Sequence, residues 1–215
     1  HVYDVSHNPV SLGVVGLVRI APVIVFSLIS GLAADTFDRR KLMMVTQIGM
    51  AACAFLLGLL AFVGVKAVWP IYVLAALASA FGAFDLPARQ SLIPSLVPRE
   101  DLPNAFSVNA TMFQAASILG PAVAGVVIGQ AGLHWAYWFN AASFLAVVLA
   151  LLGMKARPTV AKEDRPQATL SAALEGLRFV RSTPIILSSM FLDFFATFFS
   201  SATALLPIFA QDIFR

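Results

Sequence analysis

Charge is scarce in this sequence. Asp, Glu, Lys and Arg together make up 12% of its 215 residues, where a soluble domain carries roughly 25%. So few charges cannot cover the outside of a water-soluble fold when 60% of the residues are hydrophobic and the mean hydropathy is +0.87. Lipid is the natural solvent for such a chain. Cysteine is nearly absent too: Cys53 stands alone in an apolar run, which excludes a disulfide framework. No spacing of His, Cys, Asp, Glu or Ser suggests a metal site, a phosphate-binding loop or a nucleophile with its base, so the sequence does not read as an enzyme. No signal peptide is visible. The chain opens on the polar stretch His1 to Asn8 and stops at Arg215 soon after an apolar run. It is expected to be a fragment, with that first stretch a loop leaving an earlier element.

What the sequence has is long apolar runs. A helix needs about 20 residues to cross about 30 Å of hydrocarbon at about 1.5 Å per residue. Six segments meet that requirement: about Gly13 to Ala34, Leu42 to Val65, Trp69 to Leu86, Ala105 to Gly129, Trp135 to Met154 and Ile185 to Ile208. They are rich in Ala, Leu and Phe and lack the alternation of a membrane barrel strand, and open sheet edges would leave backbone groups unpaired in lipid. The expected fold class is therefore an all-α, polytopic membrane helix bundle.

Orientation follows from the basic residues of the connections. Arg39, Arg40, Lys41, Arg89, Arg99, Lys155, Arg157, Lys162, Arg165, Arg178 and Arg181 fall on one side, Lys66 and Arg215 on the other, and Arg19 inside a helix. The first side is cytoplasmic. A net charge of +3 and a pI near 9.4 are thereby explained by topology, and no nucleic-acid partner is expected. The longest cytoplasmic connection runs from about Lys155 to Pro184. Its first half, with Pro158 and Pro166 among charges, reads as a linker. Its second half spaces Leu170, Ala173, Leu174, Leu177 and Val180 at helical intervals. That is an amphipathic helix on the membrane or the bundle, or a solvated linker helix.

The connection after the first segment reads Gly31-Leu32-Ala33-Ala34-Asp35-Thr36-Phe37-Asp38-Arg39-Arg40-Lys41. It resembles the cytoplasmic motif between helices two and three of the major facilitator superfamily: a Gly, an Asp four residues on, then a basic cluster. The run Leu86 to Glu100 and the pair Gly120-Pro121 with Gly125 are similar to its enterobactin-exporter-like branch. The resemblance covers nearly the whole chain. It implies a partial major facilitator fold of about six spanning helices, helices two to seven of twelve. Residues 1–154 would be the N-terminal bundle, 155–184 the linker between bundles and 185–215 the first helix of the C-terminal bundle. It implies a secondary transporter that exports a small organic molecule, a drug-like compound or siderophore, by proton antiport with alternating access. Uptake, lipid flipping or a non-transporting scaffold on the same fold stay open. No organic cofactor is implied, the proton gradient being the energy source. The expected partners are membrane lipid and a small-molecule substrate, the state monomeric, the location the bacterial inner membrane.

The resemblance also implies roles. Gly31, lacking Cβ, would let two helices approach. Asp35 would face a helix N-terminus of the other half, and Arg39 and its neighbours would pair with acids at the cytoplasmic mouth, Asp85 being the candidate partner of Arg39. Otherwise Arg39, Arg40 and Lys41 are topology signals alone. Thr36 and Asp38 depart from the family pattern, which often has a basic residue and a Gly there; Asp tolerates turn geometry. Pro121 removes a backbone donor and would kink its helix, with Gly120 and Gly125 packed beside it. Asp193, about eight residues or about 12 Å into its segment, is a proton carrier or the partner of a base elsewhere. Arg19, about six residues inside the outer end, meets an anionic substrate or snorkels outward. Asn109 and Gln114, with Thr111 and Ser117, line a pathway or bond between helices. His134, beside the interfacial Trp135 and Trp138, is expected at the surface.

Overall fold

A computed structural model describes residues 1–154 and 178–200. The described residues are helical apart from short connections and contain no strand. A short helix α1 (Val2–Ser6) precedes α2 (Pro9–Thr36), α3 (Arg39–Val63) and α4 (Trp69–Leu96). A 3-10 turn (Arg99–Asp101) leads into α5 (Leu102–Ala131), α6 (Leu133–Gly153) and, after the 155–177 segment, α7 (Pro184–Ser200). The first stretch is thus a helix and not the loop its polarity suggested. Five of the helices, α2 to α6, are long and apolar enough to cross a membrane. The sixth expected segment is described only as far as Ser200. The expected linker 155–184 and its amphipathic half lie largely outside the described residues, of which 178–182 are helical. Whether the chain divides at 154 and 184 is accordingly still an expectation.

Local chemistry explains the boundaries. Asn8 accepts a bond from the Val10 amide with Pro9 in the first turn, so α2 starts four residues before the apolar run does. Asp38 caps α3, its Oδ1 accepting from the amides of Arg40 at 2.9 Å and Lys41 at 3.1 Å. The residue that departs from the family's turn glycine is therefore the helix start signal. Gly64 ends α3 in the left-handed conformation, φ 72°, which Cβ-bearing residues disfavour. Helix α4 runs ten residues past the expected end, through Pro87 and Pro94. Pro121 likewise lies inside a continuous α5.

Helix α3 is the centre of the bundle and packs on α4 and α6, while α2 packs on α4. At the outer end the Tyr72 hydroxyl donates to the Ser11 carbonyl at 3.1 Å, and deeper in the bundle the Phe26 and Phe84 rings lie 5.5 Å apart, joining α2 to α4. The best buried apolar cluster is Met43, Ala88 and Leu151, one residue each from α3, α4 and α6, at the end whose basic residues mark it as the expected cytoplasmic side. By contrast α5 has no buried residue and leans mainly on α6.

The glycines that permit close packing are not the expected ones. A Cβ at Gly31, Gly120 or Gly125 would meet nothing within 4 Å. A Cβ at Gly49 would sit 2.6 Å from the Phe81 ring of α4, and one at Gly58 would sit 2.5 Å from the Trp138 indole of α6. These two set how near α3 lies to its neighbours. Gly58→Ala is therefore expected to destabilise by roughly 1–3 kcal/mol, the usual range for overpacking, and Gly120→Ala not at all; thermal unfolding of the intact protein in detergent checks both.

Candidate functional site: a buried carboxylate at the cytoplasmic end

Asp85 sits on α4 with only 7% of its surface exposed. An ionised carboxylate inside an apolar bundle is tolerated only when its lone pairs are filled. Three residues fill them. Gln47 Nε2 donates to Oδ1 at 2.9 Å, and the Thr46 hydroxyl donates to the same oxygen at 3.0 Å. Arg89 Nη2 donates to Oδ2 at 3.1 Å as an ion pair one helical turn away. Thr46 also lies 2.9 Å from the Met43 carbonyl, so its single proton is shared. Gln47 is 0% exposed, and its Oε1 has no partner among the described residues.

The basic cluster at the start of α3 works beside this centre, on carbonyls. Arg39 Nη1 donates to the Ser91 carbonyl of α4 at 2.6 Å. The neighbouring carbonyl, that of Gln90, is the one Pro94 leaves without its helical donor. Arg40 Nη2 donates to the Leu152 carbonyl at 3.0 Å. Leu152 is in the last turn of α6, where carbonyls lack intrahelical donors and the helix dipole is negative, so a guanidinium is favourable twice over. Arg39 and Arg40 thus tie the cytoplasmic ends of α4 and α6 to the start of α3. They do more than mark topology.

The expected pairing of Arg39 with Asp85 is corrected here. Among the described residues the ion-pair partner of Asp85 is Arg89, and Arg39 Nη1 reaches the α4 backbone. The Asp85–Arg89 spacing of four residues was visible in the sequence. So was the polar pair Thr46-Gln47 in an otherwise apolar run, although nothing in one helix says which carboxylate it meets. Asp35 lies on the last turn of α2, and its side chain is outside the described residues.

The other candidates are not brought to this centre. Arg19 is exposed on α2, ten residues from the helix start and so about 15 Å along it, deeper than the sequence suggested. Asn109 and Gln114 are exposed on α5, whose Thr111 and Ser117 hydroxyls donate to carbonyls of their own helix. Asp193 is exposed on α7. His134 is not a plain surface residue. Its ring lies 5.4 Å from Phe62 and 5.3 Å from Trp138 in an aromatic cluster at the outer end. Among the described residues no group of His, Cys, Asp and Glu is placed to hold a metal ion.

This geometry can be set beside known proteins. The family described as transmembrane secretion effector, a major facilitator family, matches residues 2–215. The chain belongs to the major facilitator superfamily. It is 31% identical over 202 residues to the multidrug efflux pump Tap of Mycolicibacterium fortuitum, covering 89% of this chain and 49% of that protein. It is 29% identical over 191 residues to the uncharacterized MFS-type transporter YfiS of Bacillus subtilis (strain 168), covering 87% and 45%. It is 26% identical over 187 residues to the enterobactin exporter EntS of Escherichia coli O1:K1 / APEC, covering 86% and 44%. The chain spans about half the length of these curated relatives. No solved structure matches it significantly. The relatives are transporters and not enzymes, and with five membrane-capable helices the chain is an integral membrane protein of this superfamily.

Removing the carboxylate strands the buried Gln47 amide and leaves the Thr46 hydroxyl only the Met43 carbonyl, whereas removing Arg89, 46% exposed, leaves Asp85 its two α3 donors. Asp85→Ala is expected to cost roughly 2–4 kcal/mol and Arg89→Gln less than half of that, measured as thermal unfolding of the two variants side by side.

Proposed function

We propose that this chain forms five helices of the N-terminal half and the first helix of the C-terminal half of an exporter. The exporter moves a small organic molecule, a drug-like compound or siderophore, out of the cell in exchange for protons. The observation that carries the reading is the cytoplasmic fastening of α3, α4 and α6 around Asp85, in a chain whose superfamily relatives include a multidrug efflux pump and an enterobactin exporter. Transport by alternating access needs each half to move as a rigid body about a central site. A buried, hydrogen-bonded carboxylate with arginines tied to two helix ends supplies that rigidity at the end that opens to the cytoplasm.

In this reading the residues divide by role. The Asp85 centre keeps the half in one piece. Asp35, at the end of α2, contacts a helix N-terminus of the other half while the cytoplasmic mouth is shut, and releases it when the halves rock apart. Asp193, the one charged residue of α7, carries the proton. Arg19, Asn109 and Gln114 belong to the substrate path. Membrane lipid and the substrate are the partners, the protein works as a monomer, and its place is the bacterial inner membrane. Export is favoured over uptake by the similarity to the efflux pump Tap and the enterobactin exporter EntS.

The test uses the full-length protein in energised inside-out vesicles, following lumenal pH while a panel of drugs and siderophores is added. Proton loss on adding a compound, abolished by Asp193→Asn, is the expected result. Silence across the panel would count against proton-driven export, and proton loss that survives the substitution would remove Asp193 from the proton path. In the same vesicles Asp35→Asn should slow transport roughly twofold to fivefold, the rate equivalent of a charge–dipole contact of about 0.3–1 kcal/mol.

A further inference from the structure

Two helices carry polar faces at the same depth. On α7, Ser189, Asp193 and Thr197 recur every fourth residue and so share one face. The Phe191 and Phe195 rings lie together on the opposite side of that helix, 6.5 Å apart. On α5, Ser107, Thr111 and Gln114 recur after four and then three residues and likewise share a face. Both helices start at the cytoplasmic side, α5 after Arg99 and α7 after Arg178 and Arg181. Thr111 is nine residues past Leu102, and Asp193 is nine residues past Pro184. Each is therefore about 14 Å along its helix, near the middle of a hydrocarbon core about 30 Å thick. A carboxylate at that depth turns away from lipid, toward protein or an aqueous cavity.

The hydroxyls on these faces have a direction. Each has one proton to give. Ser107 Oγ donates to the Pro103 carbonyl at 2.8 Å, Thr111 Oγ1 to the Ser107 carbonyl at 2.8 Å, and Ser189 Oγ to the Ile186 carbonyl at 2.9 Å. What these three side chains offer beyond their own helix is oxygen lone pairs. An ionised Asp193 offers lone pairs and a negative charge, and Gln114 adds an amide that both accepts and donates. Faces of this kind mostly accept hydrogen bonds. They suit a molecule that is rich in donors and positively charged, an ammonium or an amidinium. An anionic chelator would bring further acceptors and a like charge into a region of low dielectric. Arg19, the cation within α2, is seventeen residues from Thr36. That places it about 26 Å from the cytoplasmic end of its helix, and so about 12 Å nearer the outer side than Asp193.

We propose that the molecule carried is an organic cation with hydrogen-bond donors, a protonated amine or amidine. Asp193 selects it by charge, and Thr111 supplies an acceptor at the same depth. The inference rests on the reading of the chain as part of an exporter and names the substrate class within that reading: the basic drug-like compound and not the siderophore. The same carboxylate serves the cation and the proton in turn.

The test is equilibrium dialysis of the full-length protein in detergent at pH 7.5, corrected for protein-free micelles, with three probes of one shape: biphenyl-4-carboxamidine, biphenyl-4-carboxamide and biphenyl-4-carboxylate. The amidine should be retained roughly tenfold or more over the amide, the size of a charge-assisted hydrogen bond, and the carboxylate least. Asp193→Asn should erase the preference, and Asp193→Glu should keep part of it. Thr111→Val should weaken the amidine about twofold to tenfold, the size of one ordinary hydrogen bond. Both residues are exposed, so an unchanged unfolding temperature shows that the variants are folded. Equal retention of the three probes, retention of none, or a preference that survives Asp193→Asn would overturn the proposal; the last two are the outcomes expected if Asp193 is instead held by a base elsewhere in the protein. Binding is read without a proton gradient. Proton loss with siderophores in the vesicle experiment, together with no preference for the amidine, would therefore remove this substrate class and leave proton-driven export standing.

Discussion

A carboxylate inside an apolar bundle has to be satisfied, and in this protein that requirement organises the cytoplasmic half. Asp85 accepts from Thr46 and Gln47 of α3 and from Arg89 of its own helix. Because Thr46 and Gln47 are adjacent on α3 and both donate to one oxygen of Asp85, the contact holds the two helices in one register. Sliding either helix by a turn would strand a buried charge, at a cost of several kcal/mol. Packing by Met43, Ala88 and Leu151 then fits around a register already set. The apolar contacts supply cohesion, and the polar ones supply uniqueness.

The ends of the helices extend the same logic. Arg39 and Arg40 leave the first turn of α3 toward carbonyls of α4 and α6, and Asp38 holds that turn in place by capping it. Four consecutive functions, cap, two ties and a third cation, are thus written in Asp38-Arg39-Arg40-Lys41. Away from the cytoplasmic end the spacing between helices depends on Gly49 and Gly58, where the rings of Phe81 and Trp138 come close. The cytoplasmic end is fastened by charge and hydrogen bonds, the middle by shape, and the outer end by rings and the Tyr72–Ser11 bond. A bundle fastened at both ends and in the middle is suited to move as a unit, which the proposed rocking mechanism requires.

Much of this was legible in the residues. Length, apolar runs and the asymmetry of Lys and Arg pointed to a helical membrane bundle, and the loop after α2 pointed to its superfamily. The helix ends were less legible, because capping by Asn8 and Asp38 and the continuation of α4 through Pro87 and Pro94 depend on local geometry that hydropathy does not weigh. The centre was half legible. Asp85 and the basic cluster stood out as charges, but their partners are set by which helix faces meet. Gln47 and Thr46 looked like ordinary polar interruptions, and the choice of Gly49 and Gly58 over Gly31, Gly120 and Gly125 is decided by which large rings arrive opposite. For Asn109, Gln114 and Asp193 the reason is different. They lie on helices whose described side chains are largely exposed, so their roles depend on neighbours beyond these contacts.

The central claim is that one buried carboxylate fixes how α3 lies on α4. Hydrogen–deuterium exchange of the intact protein, wild type against Asp85→Asn, tests it most directly. The account predicts faster exchange confined to the cytoplasmic turns of α3 and α4, about residues 39–50 and 82–96, with residues 110–131 of α5 unchanged. Exchange that is the same in both proteins, or that rises equally along every helix, would contradict it.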